Sequence, residues 1–400
     1  MVTGCCCSST VSYSNYRVYR VLPKNLSQLN ALRNLKNQTY EFWIEPSHPN
    51  VYADVMIAPS QVPCFERFLT MFNLENNVMI DNLQDLINQE QNYTIARSSE
   101  WNWNSYQTLD QINTWLNSLE SKYVGTVTRI IGGQSYEKRN IYGVRVSFKP
   151  GNRAVFLEGG IHAREWISPA TVTYILNELL TSTNPKIRSV AESRDWYIFP
   201  IFNPDGYEYT FKKDRMWRKT RKPNLACFGA DLNRNWNYHW MEGGSSYNPC
   251  SDTFAGRSAF SEIEAKSLSQ FITSISSQLD AYISFHSYSQ LLLIPFGHQG
   301  LEKPPNNDEL HRIGRVAVAK LFERYGTNYT VGNIPDVIYV ASGGSMDWVA
   351  GLHKVKMAYT FELRDEGRYG FVLPPDQIVP TGQETLDALI VMIEELNALQ

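Results

Sequence analysis

Three residues of this chain have the side-chain types and the spacing that a metal ion requires. His162 and Glu165 are three positions apart in Gly-Gly-Ile-His-Ala-Arg-Glu-Trp, and His286 follows later in Ser-Phe-His-Ser-Tyr. Two imidazoles and one carboxylate, with a fourth position left open, are the ligand set of a catalytic zinc site. The open position allows the metal to polarise a water or a carbonyl group. A single His-x-x-Glu pair is a weak indication, so the hypothesis depends on the residues that accompany it.

The segments next to these residues predict where the metal site would lie in a sheet. Ala154–Glu158 is an apolar run typical of a buried strand, and the glycine pair after it allows a sharp turn before His162. Residues 281–286 form a second such run, with His286 at its end. From residue 104 onward strand and helix patterns alternate, which predicts an α/β domain with a mostly parallel sheet. Such sheets bind ligands at the carboxyl ends of their strands.

Local patterns predict two further features of the chain. Ser168 and Pro169 predict the N-cap and the first turn of a helix that follows the metal pair. Residues 16–92 combine alternating strands with leucines at helical spacing, which predicts a separate, small α+β domain.

Two segments of the chain are predicted to lie outside the domains. Residues 1–15 are predicted to be an unstructured tail. Residues 93–103 are predicted to be a linker, with Arg97 as its one basic residue up to Trp103. Because a linker between folded units tolerates cleavage, a cut after Arg97 is expected, with an ordinary surface loop as the alternative.

Composition limits the classes of partner. The 400 residues are 43% hydrophobic and 19% charged with a net charge of −3, which gives no reason to expect nucleic acid. No apolar run approaches the roughly 18 residues of a membrane span. Residues 1–15 lack the apolar stretch of about 7 to 15 residues that a secretory signal peptide contains. We therefore expect a globular protein of two domains, without a nucleic-acid or membrane partner.

The six cysteines contain no Cys-x-x-Cys pair, which argues against a zinc ribbon or a thioredoxin-like redox motif. Cys5, Cys6 and Cys7 are consecutive, and the role of this cluster stays open. From the residues alone, Cys227 and Cys250 could form a disulfide or remain two buried thiols.

Six segments resemble the motifs of one family, the zinc metallocarboxypeptidases of the pancreatic carboxypeptidase A/B type, in proenzyme form. They are His162–Trp166, Asn203–Tyr207, Arg215–Lys219, Asp231–Trp236, Ile338–Ser345 and Thr360–Asp365. They occur in the family's order over roughly residues 104–400, and residues 16–92 resemble its activation domain. Such a set is not expected by chance.

The resemblance implies a fold and a compartment. The fold is a mixed, mostly parallel eight-stranded sheet with helices on both faces, over residues 104–400, preceded by the activation domain. It also implies a disulfide between Cys227 and Cys250, and therefore an oxidising, extracellular location. Non-proline cis peptide bonds are implied at Ser287-Tyr288, Pro295-Phe296 and Arg364-Asp365.

The resemblance also implies a reaction. One zinc ion per chain would be bound by His162, Glu165 and His286, and Glu362 would be the general base for a zinc-bound water. The apolar neighbours of Glu362 are expected to raise the pKa of its carboxyl toward working pH. The alternative for Glu362 is a structural ion pair with Arg364 or Arg368.

Arginines are expected to bind the terminal carboxylate of a substrate and to stabilise the oxyanion. Guanidinium groups match the geometry of a carboxylate, so Arg234, with Asn233 beside it, matches a clamp for the C-terminal carboxylate. Arg218 matches the residue that stabilises the oxyanion. Asp231 matches the carboxylate that orients the first histidine ligand. A surface salt bridge is the alternative for any arginine.

Further positions match the walls of the family's cleft. Arg164 matches an outer binding site, Tyr339 matches a residue that swings over the substrate, and Tyr288 and Phe371 match cleft-lining aromatics, with a core role as their alternative. The remaining histidines are interpreted as surface or core residues without a metal-ligand partner at suitable spacing: His48, His239, His298, His311 and His353.

Met346 decides the expected substrate preference. Members that remove Lys or Arg have an acidic residue two positions after Gly-Gly, where this chain has Met346, and Gly297, Ile334 and Thr360 also match an apolar pocket. A cationic side chain would be left unpaired there. A shift of one residue, which would bring Asp347 into the pocket, reverses the prediction.

The sequence thus predicts a precursor of a zinc-dependent exopeptidase that removes aromatic or large aliphatic C-terminal residues from peptides or proteins. A trypsin-like protease is expected to activate it, and it is expected to be a monomer. The alternative is a non-catalytic relative that binds zinc and peptide C-termini. Loss of Glu362, Arg218 or a ligand would indicate that alternative, and none is lost.

Overall fold

The computed structural model describes residues 10–35, 40–95 and 101–399. These residues form an N-terminal unit, up to residue 95, and a C-terminal unit, from residue 101. Arg97 and the cysteines Cys5, Cys6 and Cys7 lie outside the described residues.

The N-terminal unit is a small α+β fold. Its elements are β1 (Arg17–Leu22), α1 (Leu26–Leu35), β2 (Glu41–Ile44), β3 (Ala53–Ile57), α2 (Val62–Met71), β4 (Glu75–Ile80) and α3 (Leu83–Ile95). The strands pair antiparallel in the order β2-β3-β1-β4. These elements agree with the α+β pattern predicted for residues 16–92.

Both faces of this small sheet are apolar. Tyr19 and Val55 pack in one cluster with α1 and α2. Val18 and Met56 point to the opposite face, because successive side chains of a strand alternate, and they share a cluster with Phe371 of the C-terminal unit. The second face is therefore covered partly by Leu83 and Ile87 of α3 and partly by the C-terminal unit.

The C-terminal unit is built on one mixed sheet. Its strands are β5 (Val127–Gln134), β6 (Asn140–Val146), β7 (Ala154–Glu158), β8 (Asp195–Phe199), β11 (Leu279–Ser287), β12 (Leu291–Ile294), β13 (Thr330–Asn333) and β14 (Met357–Leu363), while β9 (Pro223–Asn224) and β10 (Cys227–Phe228) form a separate short pair. The order is β13-β12-β14-β11-β7-β8-β6-β5. The central strands β14, β11, β7 and β8 are parallel. The predicted mixed eight-stranded sheet is confirmed.

Helices cover both faces of this sheet. They are α4 (Leu109–Lys122), α5 (Ile167–Thr181), α6 (Pro185–Ser193), α7 (Pro204–Lys212), α8 (Ile263–Ile275), α9 (Asn307–Tyr325), α10 (Ile334–Val337), α11 (Ser345–Trp348) and α12 (Ile378–Ala398). Ile175, Ile313 and Leu389 of α5, α9 and α12 pack on one face, and Leu268 of α8 and Met346 of α11 belong to the cluster on the other. Among the described residues, no helix has the length and apolar character to cross a bilayer.

Two local predictions are wrong. Ser168 does not cap α5, which begins at Ile167. Its hydroxyl instead donates to the carbonyl of Phe285 at 2.5 Å and accepts from Gly160 N at 3.0 Å, so it joins the ends of β7 and β11. The predicted unstructured tail, residues 1–15, contacts the C-terminal unit: Val11 N donates to Lys213 O at 2.8 Å, and Tyr13 is buried and its hydroxyl donates to Asp214 at 2.7 Å.

The disulfide and the cis peptide bonds that the resemblance implied are present. Cys227 and Cys250 form a disulfide with a Cα–Cα distance of 5.2 Å. The cis peptide bonds are found at Ser287-Tyr288, Pro295-Phe296 and Arg364-Asp365.

Candidate metal centre and substrate cleft

The three predicted ligands come together in the fold. Nδ1 of His162 lies 2.8 Å from Oε1 of Glu165 and 3.0 Å from Nδ1 of His286. Nδ1 of His286 is in turn 3.1 Å from Oε2 of Glu165. All three side chains are buried. Two ring nitrogens and a carboxylate that converge on one point provide the nitrogen and oxygen ligands that zinc prefers.

The backbone around the ligands explains this convergence. Gly160 has a φ of +63°, and a Cβ there would lie 3.1 Å from a backbone carbonyl, so the turn after β7 requires glycine. This turn brings His162 and Glu165 to the carboxyl edge of the sheet. His286 lies near the end of the neighbouring strand β11, and Ser287 N donates to Oε2 of Glu165 at 3.2 Å.

The charges of the cluster suit metal binding. Burial, helped by the charge of Arg218, lowers the pKa of His162, so its imidazole is neutral and offers a lone pair. Burial alone would raise the pKa of Glu165, but the two histidines hold it far below its usual range. Burial opposes protonation of His286, but Glu165 raises its pKa. Glu165 therefore remains an anion that attracts a cation.

Asp231 occupies the position expected of an orienting carboxylate. Its Oδ1 lies 3.0 Å from Nε2 of His162, which places the ring proton on Nε2 and the lone pair on Nδ1. Its Oδ2 accepts from Nη2 of Arg218 at 2.8 Å. Burial opposes ionisation of Asp231, but the charge of Arg218, with the hydrogen bond to His162, holds its pKa well below its usual range.

Glu362 lies beside the ligands. It is on β14, directly across from His286 in the parallel pair of β14 with β11. Lost hydration raises the pKa of Glu362 to about 8, against the opposing charge of His286. Arg364, which was one alternative ion-pair partner for Glu362, donates to Glu384 at 2.7 Å. The apolar setting thus has the effect predicted for a general base.

Arg218, Asn233 and Arg234 line the cleft next to the metal centre. Nη1 of Arg218 lies 3.5 Å from Glu165 Oε1. Nε of Arg234 donates to Gly244 O at 3.0 Å, and Oδ1 of Asn233 accepts from Ser345 N at 2.9 Å. These bonds fix the guanidinium and the amide in place, which reduces the entropy lost when a carboxylate binds.

The cleft next to the metal centre includes Met346, Ile334 and Thr360 of the predicted pocket. Its lining residues are His162, Arg218, Asn233, Arg234, His286, Leu293, Ile334, Ile338, Tyr339, Ala341, Gly344, Met346, Asp347, Thr360 and Glu362. Sδ of Met346 lies 3.4 Å from Oγ1 of Thr360. The apolar part of this lining, which can accept an apolar side chain, consists of Leu293, Ile334, Ile338, Ala341 and Met346.

Asp347 also reaches this pocket. It is 2% exposed, and its Oδ2 accepts from Gly297 N at 2.7 Å. Its Oδ1 has no hydrogen-bond partner among the described residues. Burial raises the pKa of Asp347 to about 7, which makes the carboxyl largely neutral in mildly acidic solution.

The outer cleft residues contact the N-terminal unit. Nη1 of Arg164 donates to Glu41, and its guanidinium lies 4.2 Å from the ring centroid of Phe371. The hydroxyl of Tyr288 donates to Oδ2 of Asp54 at 2.6 Å. Trp43 packs on Phe371, with ring centroids 5.0 Å apart. The N-terminal unit therefore covers all three of these residues.

Sequence reasoning missed three features. Arg215 donates from Nε and Nη2 to Glu90 at 2.6 and 2.8 Å, in a buried pair that joins the two units. Glu158, buried below the site, accepts from the hydroxyls of Ser284 and Ser345 at 2.6 and 3.0 Å. Neither carboxylate lies in a motif that predicts its partner. The third feature, at His239 and His298, is described below.

Comparison with known proteins decides the family. Residues 112–388 match the family described as zinc carboxypeptidase, and residues 19–90 match the carboxypeptidase activation peptide. The chain belongs to the zinc carboxypeptidase family. Its members are zinc enzymes that cleave peptide C-termini, and the activation peptide makes this chain the precursor form of such a carboxypeptidase.

Named relatives span nearly the whole carboxypeptidase chain. Zinc carboxypeptidase A 1 of Anopheles gambiae is 47% identical over 393 residues, covering 96% of this chain and 90% of that protein. Carboxypeptidase A1 of Bos taurus is 35% identical over 402 residues, covering 97% and 95%.

Solved structures give the same result for the fold. The thrombin activatable fibrinolysis inhibitor superposes with a TM-score of 0.88 at 33% identity, covering 96% of this chain and 99% of that structure. The carboxypeptidase A from Helicoverpa armigera has a TM-score of 0.89 at 28% identity, covering 96% and 98%.

Zinc is therefore the cofactor of this carboxypeptidase, and the ligand atoms of His162, Glu165 and His286 fit it. Two imidazole nitrogens 3.0 Å apart, both facing one carboxylate, repel each other unless a proton or a cation lies between them. A zinc ion satisfies all three groups at once.

Proposed function

We propose that this carboxypeptidase removes aromatic or large aliphatic residues from the C-termini of peptides and proteins. The observation that carries the proposal is the apolar part of the pocket next to the metal centre. Met346 lies there, at the position where members that remove Lys or Arg have an acidic residue. An apolar side chain gains from burial there, whereas the charge of Arg or Lys would lose its hydration. Asp347 also lines the pocket, but burial raises its pKa to about 7, so its carboxyl is a weak counter-charge for Arg or Lys below that pH.

In this proposal, Arg234 and Asn233 bind the terminal carboxylate of the substrate. The guanidinium of Arg234 presents parallel donors to a carboxylate, and the amide of Asn233 adds another. Tyr339, whose ring lies 5.9 Å from the Arg234 guanidinium, closes over the bound residue. The last peptide bond of the substrate then lies above His162 and His286.

Hydrolysis of that bond needs a base, an acid and stabilisation of an oxyanion. When bound, zinc polarises the scissile carbonyl and lowers the pKa of a water. The Glu362 carboxylate accepts a proton from the attacking water and returns it to the leaving amine nitrogen. The Arg218 guanidinium stabilises the negative charge that develops on the carbonyl oxygen. Asp231 holds the His162 ring in place for metal binding.

Longer substrates would extend into the outer cleft. Arg164, Tyr288 and Phe371 are proposed to contact residues further from the C-terminus, once the N-terminal unit has left. Cleavage by a trypsin-like protease after Arg97, in the proposed linker 93–103, would separate the activation domain (16–92) from the catalytic domain (104–400). The disulfide Cys227–Cys250 supports a secreted enzyme, and we propose that it acts as a monomer.

Hydrolysis of two blocked dipeptides, one ending in Phe and one in Arg, tests the proposal. After limited trypsin treatment, we expect the Phe substrate to be cleaved at least 100-fold faster than the Arg substrate. A zinc chelator should abolish cleavage of the Phe substrate. Mass spectrometry should show that the mature chain begins at Ser98. Faster cleavage of the Arg substrate would contradict the assignment of Met346. Cleavage of neither substrate by a zinc-loaded chain cut at Arg97 would contradict the proposed reaction.

A further inference from the structure

A second group of metal-binding side chains lies outside the catalytic centre. His239 and Glu242 share one loop, and each offers a ligand atom within 4.8 Å of a ligand atom of His298. The prediction that these histidines lack a ligand partner is wrong, because Glu242 follows His239 at the spacing of His162 and Glu165. We propose that His239, His298 and the carboxylate of Glu302 bind a second divalent transition-metal ion, with Glu242 orienting the ring of His239.

The hydrogen bond of His239 leaves its second nitrogen available to a metal. Nδ1 of His239 lies 2.7 Å from Oε2 of Glu242. A carboxylate oxygen only accepts, so the ring proton is on Nδ1 and the lone pair is on Nε2. Metal-bound histidines are oriented by carboxylates in this way. Nε2 of His239 lies 3.9 Å from Oε2 of Glu302.

His298 contributes a buried nitrogen that faces the same carboxylate. Its side chain is 2% exposed and stacks on His239, with ring centroids 3.8 Å apart and planes at 9°. Nε2 of His298 has no hydrogen-bond partner among the described residues and lies 3.7 Å from Oε2 of Glu302. Its Nδ1 accepts from Gly300 N at 3.2 Å. Metal binding at Nε2 moves the ring proton to Nδ1 and gives up this long bond.

The distances favour a metal over an ordinary ion pair. Oε2 of Glu302 is too far from either Nε2 for a hydrogen bond. A metal ion, which bonds nitrogen at about 2.0–2.1 Å and oxygen at about 2.0–2.2 Å, can bridge such atoms after small movements. The side chain of Glu302 is 57% exposed and can move onto the ion, while Glu242 keeps its bond to Nδ1 of His239. Imidazole and carboxylate ligands together suit Zn²⁺, Cu²⁺ or Ni²⁺.

The exposed carboxylate of Glu302 implies that this site is weaker than the catalytic one. At the catalytic centre all three ligands are buried and the ligand atoms are already 2.8 to 3.1 Å apart. At the second site the side chains must still move together, and ordering them opposes binding. The second ion should therefore exchange with the solution more readily.

The position of the site connects it to substrate binding. Gln299 N donates to Glu242 O at 2.8 Å, Ser342 N donates to Gly243 O at 3.1 Å, and Arg234 Nε donates to Gly244 O at 3.0 Å. An ion at this site would tie together the loops that hold Arg234. This consequence rests on the proposed function of Arg234, whereas the metal site itself does not.

Zinc binding to the intact precursor tests the proposal. Equilibrium dialysis against Zn²⁺, followed by metal analysis, should show two equivalents bound by the natural chain. His239→Ala and Glu302→Gln should each weaken the second equivalent at least tenfold and leave the first unchanged. His353→Ala, which replaces a histidine that packs on Trp348 elsewhere, is the matched control and should retain both equivalents.

The second site would be overturned if the natural chain bound only one equivalent of zinc. It would also be overturned if His239→Ala bound two equivalents with the affinities of the natural chain. His162→Ala separates this result from the proposed function, because it should lose the tight equivalent and keep the weaker one. Circular dichroism should show the same melting temperature for His239→Ala and His353→Ala without added zinc.

Discussion

The inner metal centre and the outer cleft differ in what holds their side chains. At the centre, His162 is held by Asp231, and Asp231 also accepts from Arg218, so both partners belong to the C-terminal unit. In the outer cleft, Arg164 donates to Glu41 and Tyr288 to Asp54, both in the N-terminal unit. The proposed catalytic groups therefore have all their partners within the C-terminal unit. We infer that the N-terminal unit acts on the access of a peptide chain rather than on the arrangement of these groups.

This difference has a physical basis. The inner residues lie at the ends of neighbouring parallel strands, whose pairing fixes Glu362 beside His286. The outer residues project from loops toward the N-terminal unit, which the proposed cleavage would remove. A substitution in the inner centre should thus abolish the reaction, whereas a substitution at the boundary should change how strongly the N-terminal unit blocks it.

The largest effect is expected at Glu362. Glu362→Gln keeps the shape of the side chain but cannot accept a proton, so kcat should fall by about 10³- to 10⁴-fold. The assay is hydrolysis of the Phe dipeptide after trypsin treatment, with zinc content measured in parallel. Equal zinc content and a kcat within tenfold of the natural chain would show that another group is the base.

A smaller effect is expected at the boundary between the units. Glu90 and Arg215 are 1% and 3% exposed, and Glu90→Gln leaves the guanidinium buried without its counter-charge. Breaking such a pair costs about 3–5 kcal/mol. We expect weaker docking of the N-terminal unit, which should appear as higher activity on a long peptide before trypsin treatment.

Glu75→Gln is the matched control for this substitution. Glu75 pairs with Lys24 at 2.6 Å, but both side chains are more than half exposed, so the pair contributes little. If Glu75→Gln and Glu90→Gln raised the activity of the precursor equally, the Glu90–Arg215 pair would not be what holds the units together.

The smallest effect is expected from Asp347, on the pH dependence of substrate preference. The Asp347 carboxyl, with a pKa raised to about 7, is neutral below that pH and anionic above it. An anion favours a cationic side chain, so the Arg-to-Phe ratio of kcat/KM should rise severalfold between pH 6 and pH 8. Asp347→Asn should give a ratio that does not change with pH. A rise of equal size in Asp347→Asn would assign the titration to another group.

Sequence reasoning predicted the inner centre better than the boundary. The strand that ends near His162 and the strand that carries His286 are apolar runs with recognisable ends, and the resemblance to known motifs supplied Glu362 and Arg218. The alternation in β1 indicated a half-buried strand, but not that its second face packs on Phe371. That contact depends on docking between units, which no local pattern encodes.

The residues that were missed share one property. Glu90 pairs with Arg215 across 125 positions, and the stack of His239 on His298 joins two loops. Such pairs are created by tertiary structure, since neither partner has a local feature that identifies the other. The three-residue spacing of His239 and Glu242 is visible in the sequence, but nothing local indicates that His298 lies next to them.

The most direct test of the account compares substrates of two lengths. The value of kcat/KM for a blocked dipeptide ending in Phe and for a hexapeptide ending in Phe would be measured before and after trypsin treatment. Because the N-terminal unit occupies Arg164, Tyr288 and Phe371, cleavage should raise kcat/KM at least tenfold more for the hexapeptide than for the dipeptide. An equal increase for both substrates would contradict the account, since it would mean that the inner centre itself is assembled only after cleavage.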